Sequence, residues 1–573
     1  LEYNITDGLQ FSAKGAYTGN SQEYDAFRKD IQYNKNKYHG PNKLSSRAYT
    51  WDRESLDLLL NYQKNFGRHH HLKALAGYRI EDYHYRELKG ERENFPNNTL
   101  TDLNAGTEST QTNSGYTREL SMMSYFGRIN YDYKGRYLLE ANLRADASSR
   151  FSPDHRWGYF PSVSVGWRIS EETFMNWSKK WMDSMKIRAS WGQLGNQSAL
   201  NSDNSDDYYP WMVTYSIGHN YPFDDTVETG IAQTSHRISS ISWEKSTTWG
   251  VGIDMVLLNA VDLSIDFYNR KTTDIIMSVP VPGTFGLKAY KDNVGAMSNR
   301  GLEISVGYHK EWKDWRFRVN GNWSTNHNKV LDLGGVDKMY DGNKIHQVGK
   351  PYASFYTYQA DGLFKSQEEA DEYTKTYGNP FGPKFMAGDI RYKDTSGDGK
   401  LTSADRVIGN SEKPKFTFGL NLSAAWKSLD LSLLMQGASG VQRYFTEEVF
   451  GTFEGDTSHP STAWFDAWSP ENPNGSFPRL YSDKTSSSRP SNYSTFWLFS
   501  TNYLRIKNIQ LGWTLPKAYT AHLGISKARI FYSGENLLKF DNLPVNIDPE
   551  APSGRGSHYP QVMTNSFGIN ITF

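Results

Sequence analysis

The chain has 573 residues, 63 Lys and Arg balanced by 63 Asp and Glu, and no cysteine. The zero net charge removes the electrostatic footprint of a nucleic-acid binder, and the lack of Cys removes disulfide scaffolds, thiolate metal sites and cysteine nucleophiles. No run of roughly eighteen apolar residues is present, so no transmembrane helix is expected, although a mean hydropathy of -0.69 is no test for strands that show lipid only alternate residues.

The chain opens Leu1-Glu2-Tyr3-Asn4-Ile5 without an initiator Met or a basic-then-apolar leader, so the true N-terminus is expected elsewhere and this stretch reads as the C-terminal piece of a longer protein. Strand pairs follow from end to end. Leu56-Leu58-Leu60-Tyr62 is followed by Leu72-Ala74-Ala76-Tyr78. Between them lie His69-His70-His71, which suggest a metal site but fit a solvated hairpin turn better. Tyr125-Gly127-Ile129-Tyr131-Tyr133 turns through Lys134-Gly135-Arg136 into Tyr137-Leu139-Ala141-Leu143, with polar residues at every intervening position but two, Phe126 and Leu138. The same period of two gives Trp249 to Met255 with Val261 to Phe267, Leu302 to Tyr308 with Trp315 to Trp323, and Phe416 to Leu422 with Leu429 to Met435. Counting such segments gives about seventeen strands, many near the roughly ten residues that a tilted strand needs to cross a bilayer.

Long polar connections alternate with these short turns, near residues 18–50, 81–118, 197–242, 332–415 and 439–493. Short turns on one side and long loops on the other is the asymmetry of outer-membrane barrels. Charges on the strands, at Arg128, Arg144, Asp146, Arg188, Asp254, Asp266 and Glu303, belong on a watery face, since a charge facing lipid is unfavourable by about 2–4 kcal/mol at midplane. A soluble antiparallel sheet with one wet face uses the same alternation. The last residues, Phe567, Ile569, Ile571 and Phe573 against Ser566, Gly568, Asn570 and Thr572, repeat it once more and read as a closing strand.

The sharpest local motif is Asp394-Thr395-Ser396-Gly397-Asp398-Gly399-Lys400-Leu401-Thr402-Ser403-Ala404-Asp405. Oxygen ligands at positions one, three and five, Gly at six, an apolar residue at eight and a carboxylate at twelve follow the EF-hand type of loop. Asp394, Ser396, Asp398, the Lys400 carbonyl and Asp405 are the expected ligands of one Ca2+, or Mg2+, with Asp405 in place of the usual Glu. The other reading is an Asp/Gly-rich turn holding no metal. Tyr208, Tyr209, Trp211 and Trp497 suit either stacking on sugar rings or loop packing. No H-E-x-x-H, G-x-S-x-G or phosphate-binding loop occurs, so no catalytic residue, enzyme activity or organic cofactor is expected.

Several stretches resemble one family closely, the SusC-like TonB-dependent transporters of the outer membrane. They are Ser124-Tyr125-Phe126-Gly127-Arg128-Ile129-Asn130-Tyr131, Arg144-Ala145-Asp146-Ala147-Ser148-Ser149-Arg150-Phe151, Phe160-Pro161-Ser162-Val163-Ser164-Val165-Gly166-Trp167, Arg188 to Asn196, Trp243-Glu244-Lys245-Ser246-Thr247, Asn293 to Glu303, Tyr503-Leu504-Arg505-Ile506-Lys507-Asn508, Gly534-Glu535-Asn536-Leu537 and Asp548-Pro549-Glu550. The resemblance implies an all-β fold: the C-terminal portion, residues 1–573, of a 22-stranded antiparallel transmembrane β-barrel, with the N-terminal plug and first strands not present in this chain. It implies an outer-membrane location and active import of glycan oligosaccharides with a SusD-like surface lipoprotein, the TonB complex acting through the missing N-terminal part, and a dimer of such pairs. Peptide import by the same architecture is the alternative within the family, and a secreted β-rich glycan-binding protein or hydrolase the alternative outside it. The particular substrate and its contact residues are not legible in the sequence.

Overall fold

The computed structural model describes residues 1–573 apart from 200–205, 224–225, 234–235, 280, 288, 451–460, 482–484, 545–546, 555–558 and 560. Parts of the expected loops 197–242 and 439–493 therefore lie outside the described residues. The chain forms two compact units, residues 1–167, 190–248 and 272–295 in the first and residues 168–189, 249–271 and 296–573 in the second. Among the described residues, eighteen strands belong to one sheet.

In the first unit, β1 (Glu2–Thr6), β2 (Leu9–Arg28), β3 (Lys43–Phe66), β4 (His70–Glu93), β5 (Thr112–Tyr133), β6 (Tyr137–Ser148) and β7 (Trp157–Trp167) pair antiparallel, each with the next in the chain. Strands β8 (Met182–Asn196), β9 (Glu244–Leu257), β10 (Val261–Val279) and β11 (Tyr290–Trp312) contribute residues to both units. The second unit adds β12 (Trp315–Thr325), β13 (His327–Leu333), β14 (Phe416–Trp426), β15 (Leu429–Ser439), β16 (Tyr503–Thr514), β17 (Lys527–Asp541) and β18 (Thr564–Thr572). There β11 pairs with β12, β12 with β14, and β14 through β18 pair in succession.

Residue type explains this regularity. In the β5–β6 hairpin Ile129 lies opposite Ala141 and Arg128 opposite Asn142, so one face carries Tyr125, Ile129 and Leu143, which are 51, 50 and 54% exposed. The other face carries Arg128, whose Nε donates to Asn142 Oδ1 at 2.8 Å, and Asn130, whose amide donates to Glu140 at 2.7 Å. Greasy side chains left open on one face and hydrogen-bonded polar groups on the other are the arrangement lipid outside and water inside require. The turn is tight because Lys134 and Gly135 both take positive φ, 57° and 63°, a conformation free of steric cost only for Gly.

The strands run further than aliphatic alternation reaches. The expected loops 18–50 and 81–118 are in large part ladder, since β2 extends to Arg28, β3 begins at Lys43, β4 ends at Glu93 and β5 begins at Thr112. Aromatic and ionic pairs replace the aliphatic ones there: Tyr49 stacks on Tyr85 at 5.8 Å and Tyr85 on Tyr116 at 5.7 Å, and Arg47 pairs with Glu87. Such cross-strand pairs stabilise a sheet without help from lipid.

In the second unit the expected loops 332–415 and 439–493 fold into a module with its own core. Phe355, Phe364, Phe385, Ile390, Phe445 and Phe450 are fully buried in it together with Tyr392 and Trp497. Each buried Phe contributes about 1.5–3 kcal/mol of transfer free energy, which gives these connections the rigidity of a domain. The module includes strands 338–341, 344–347, 354–358 and 406–411 in one small sheet and the helix α1 (Gln367–Tyr377). Ser366 caps α1 by accepting from Glu369 N at 3.3 Å, and Glu369 Oε2 accepts from Lys365 N at 2.8 Å. Among the described residues no helix is long and apolar enough to cross a membrane, which says nothing about strands.

Candidate functional site

The polar face of the sheet gathers its charges into closed sets. In the first unit Arg144 Nε donates to Asp146 at 2.7 Å and its Nη2 to Ser124 Oγ at 2.8 Å. In the second, Arg188 bonds Asp254 at 3.1 Å and also Asp266, while Ser264 Oγ donates to Asp254 at 2.9 Å. Charges paired in this way meet the solvation a watery face requires.

The most enclosed set sits where β15 and β16 pair, Gln436 opposite Arg505 and Ala438 opposite Tyr503. After β17 the chain returns across this place through Asp548-Pro549-Glu550. Asp548 Oδ1 accepts from Glu550 N at 2.8 Å, an Asx turn that brings both carboxylates to one guanidinium. Arg505, 2% exposed, donates to Asp548 at 2.6 Å and to Glu550 Oε2 at 3.0 Å. Glu550 Oε1 accepts from Tyr503 Oη at 2.7 Å and from Gln436 Nε2 at 3.1 Å. Beside this set opens a cavity of about 620 Å³, lined by Gln436, Tyr503 and Glu550 and by Asn322, Arg443 and Thr501. The group is built to hold position, one guanidinium fixing two carboxylates. Sequence reading singled out both segments without joining them; the signal available was a pair of carboxylates two apart around a Pro, which marks a turn presenting two acids.

The loop proposed for a cation lies in the second unit. Asp394 accepts from Gly397 N at 2.6 Å and Gly399 N at 2.9 Å, and Asp398 from Lys400 N at 2.9 Å. The Gly399 and Gly397 N–H groups hold the Asp394 carboxyl below the usual aspartate range. Both glycines adopt positive φ, 73° at Gly397 and 76° at Gly399. Asp405 is fully buried and its two oxygens accept from Ser396 N at 2.9 Å and Thr402 N at 2.7 Å. Leu401 is buried in the aromatic core and its N–H donates to Tyr377 O at 2.8 Å, tying the loop to α1. The exposed oxygens of Asp394 and Asp398, with Ser396 and the Lys400 carbonyl, are the hard donors that Ca2+ or Mg2+ prefers. Among the described residues no three or more His, Cys, Asp or Glu side chains are gathered around one metal position.

The remaining residues of interest take packing roles. His70 and His71 start β4 and bond separately, to Tyr131 Oη at 2.6 Å and to Asn65 Oδ1 at 2.8 Å. Tyr208 stacks on Tyr83 with rings 14° apart, under the guanidinium of Arg150 at 4.8 Å and near that of Arg118 at 5.5 Å. Tyr209 N donates to Asp207 Oδ1, and Trp211 packs on the buried cluster of Phe151, Phe160, Ile241 and Trp243. Trp497 is buried, its indole donating to Ser488 O at 2.9 Å.

An antiparallel sheet with one open apolar face, one face of paired charges, tight turns and long folded loops defines a transmembrane β-barrel of the outer-membrane type. The chain belongs to the family described as TonB dependent receptor-like, beta-barrel, whose family model matches residues 1–436, and it resides in the outer membrane. That membership sets aside a secreted hydrolase or glycan-binding protein, for the family is one of transporters and receptors. The chain is 28% identical over 607 residues to the TonB-dependent receptor P3 of Formosa agariphila, covering 100% of this chain and 57% of the relative. It is 27% identical over 564 residues to the TonB-dependent receptor SusC of Bacteroides thetaiotaomicron, covering 93% and 52%. The chain thus spans little more than half the length of these relatives. Among solved structures, that of the RagAB peptide transporter matches with a TM-score of 0.81 at 23% identity over 100% of this chain and 61% of that one, a likeness of fold.

Proposed function

We propose that this chain is the barrel of a TonB-dependent importer that carries neutral oligosaccharides across the outer membrane, with a SusD-like lipoprotein at its outer mouth and TonB supplying the work from the periplasm. The observation that carries the reading is the polar face: its charges are met by partners of opposite sign, as at Arg505 with Asp548 and Glu550 and at Arg188 and Lys186 with Asp254 and Asp266. Such a passage suits an uncharged hydroxyl-rich cargo. The relation to SusC supports the partner. The test is uptake of neutral and of charged solutes by cells carrying or lacking the gene, with co-purification from the outer membrane. Loss of peptide uptake alone on deletion would assign the importer to peptides. We further propose that loop 394–405 takes one Ca2+ or Mg2+ through Asp394, Ser396, Asp398, the Lys400 carbonyl and Asp405, fixing the outer module. Elemental analysis of protein purified without chelator tests that assignment.

A further inference from the structure

The geometry points to a binding site for the headgroup of an anionic phospholipid at the short-turn end of β11, β12 and β14, a property independent of what the barrel imports. Trp312 lies opposite Trp315, Trp315 opposite Trp426, Trp426 opposite Leu429 and Leu429 opposite Trp513. Residues directly opposite in an antiparallel ladder share a face, so four indoles and a leucine form one row across five strands, each of them between 36 and 61% exposed. Trp315 stacks on Trp426 with ring centres 5.6 Å apart and planes 24° apart, and on Phe317 at 5.3 Å. The row four residues further along the same face, from Tyr308 through Val319, Leu422 and Leu433 to Ile509, is apolar throughout. The indoles therefore stand at the edge of the apolar band, at the height of the headgroups on the periplasmic side.

The charges say which headgroup. The turns at the two hairpin tips carry Lys313 and Lys427, whose Nζ atoms stand 5.4 Å from the Trp312 ring centre and 5.3 Å from the Trp426 ring centre, so each ammonium is held over an indole. Lys310 lies opposite Phe317, on the lipid face and two residues beyond Trp312 towards the apolar band, from where a lysine reaches back to the headgroups along its own stem. Within 308–317 and 424–431 the lipid-side and turn positions hold these three ammonium groups and one carboxylate, Asp314. Asp314 is 3.8 Å from Lys427, with both side chains 60% exposed, a pair too open to neutralise the patch. Glu311 lies opposite Arg316 on the other face. The two tips are two strand spacings apart, about 10 Å, so Lys313 and Lys427 both reach a phosphate lying between them. At this depth the bilayer offers phosphate as the counter-charge, and a headgroup without an ammonium of its own meets the excess of cations best.

Native mass spectrometry of the protein purified from outer membranes, stripped of lipid in detergent and titrated with dioleoylphosphatidylglycerol or dioleoylphosphatidylcholine, reads bound lipids one at a time. Lys313 and Lys427 take positive φ, 53° and 52°, which Asn tolerates, so Lys313→Asn with Lys427→Asn removes both charges and keeps the turns. Lys310→Gln, within the strand, is the second variant and leaves the turns untouched. At about fivefold per lysine beside anionic lipid, the double variant should lose about 25-fold in phosphatidylglycerol affinity and Lys310→Gln about fivefold, while phosphatidylcholine affinity stays the same. Equal affinity of the wild type for the two lipids, or a preference for phosphatidylglycerol that survives in both variants, overturns the site. Displacement of the lipid by excess inorganic phosphate overturns it in favour of a free-anion site, and a lipid-independent dimer that dissociates in the double variant overturns it in favour of a second copy of the chain.

Discussion

Replacing Ile129 by Arg tests which face of the sheet meets lipid. In β5 the aromatic residues Tyr125 and Tyr133 bracket Ile129, four residues to either side. At about 3.3 Å per residue and a tilt of about 40°, each lies about 10 Å from Ile129 along the membrane normal. The two tyrosines thus stand about 20 Å apart, near the roughly 25 Å height of the apolar band between aromatic girdles, and Ile129 falls close to the midplane. Ile129 is 50% exposed, with Ala74 and Ala141 as its cross-strand neighbours, so no carboxylate is at hand to pair an introduced guanidinium. Arg there should cost about 2–4 kcal/mol, the value for Arg at the bilayer centre. The next residue, Asn130, points to the opposite face beside Glu140, and Asn130→Arg should cost less than about 1 kcal/mol. Urea unfolding from phospholipid vesicles, followed by tryptophan fluorescence, measures both. Equal costs at the two positions would refute the assignment of faces.

Arg505→Met leaves Asp548 and Glu550 facing each other without their cation, and the thermal stability should fall by about 3 kcal/mol, as for a broken buried pair; adding D548N and E550Q should restore most of it, and a loss below about 1 kcal/mol in the single variant would show the pair to be solvated. Asp398→Ala should abolish any rise in melting temperature that calcium gives, while the heat-modifiable gel mobility of the barrel stays the same; a calcium-induced rise that survives in the variant removes Asp398 from the ligands. Asp389 is fully buried, and burial raises its pKa against the bonds from Met386 N, Tyr481 Oη and Ser488 Oγ. The folded module then holds this proton more tightly than the unfolded chain, so the contribution is complete below the ordinary aspartate pKa and is lost as pH rises through the raised one. Asp389→Asn should therefore gain melting temperature relative to wild type across that rise, and a difference that is flat with pH refutes it.

Much of the sheet was legible because alternation is a local signal. The hairpins around Lys134, Lys313 and Lys427 each show apolar residues at period two on both sides of a tight turn, and each forms as read. The outer halves of β3 and β4 escaped because their ladder rests on Tyr49, Trp51, Tyr83 and Tyr85 rather than on aliphatic residues. A pattern judged by hydrophobicity stops where the membrane does. Helix α1 was missed although Ser366 and Glu369 stand at capping-box spacing, because its apolar stripe is short. Loop 394–405 was recognisable since its bends demand Gly at fixed places. The cavity was not, for Gln436, Tyr503 and Glu550 are separated by 67 and 47 residues, and only the register of β15 on β16 brings them together.

β3 and β4 have 24 residues each, about 80 Å of strand at 3.3 Å per residue, where about 9–11 residues suffice to cross. The surplus is continuous hydrogen-bonded ladder, stiffened by stacked tyrosines, and it stands clear of the lipid headgroups on the long-loop side. A protease needs an extended, unpaired segment, and here it meets paired backbone instead; the sites open to nicking are displaced to the tips, at the turn 35–36 beyond the short hairpin of 31–34 with 37–39 and at 96–102. Limited digestion of intact cells should therefore cut at those tips and leave the strands beneath them whole, so that the shaved protein keeps its barrel. The same stiffness gives any lid a fixed rim to close against, at a height set by the number of residues in the strands.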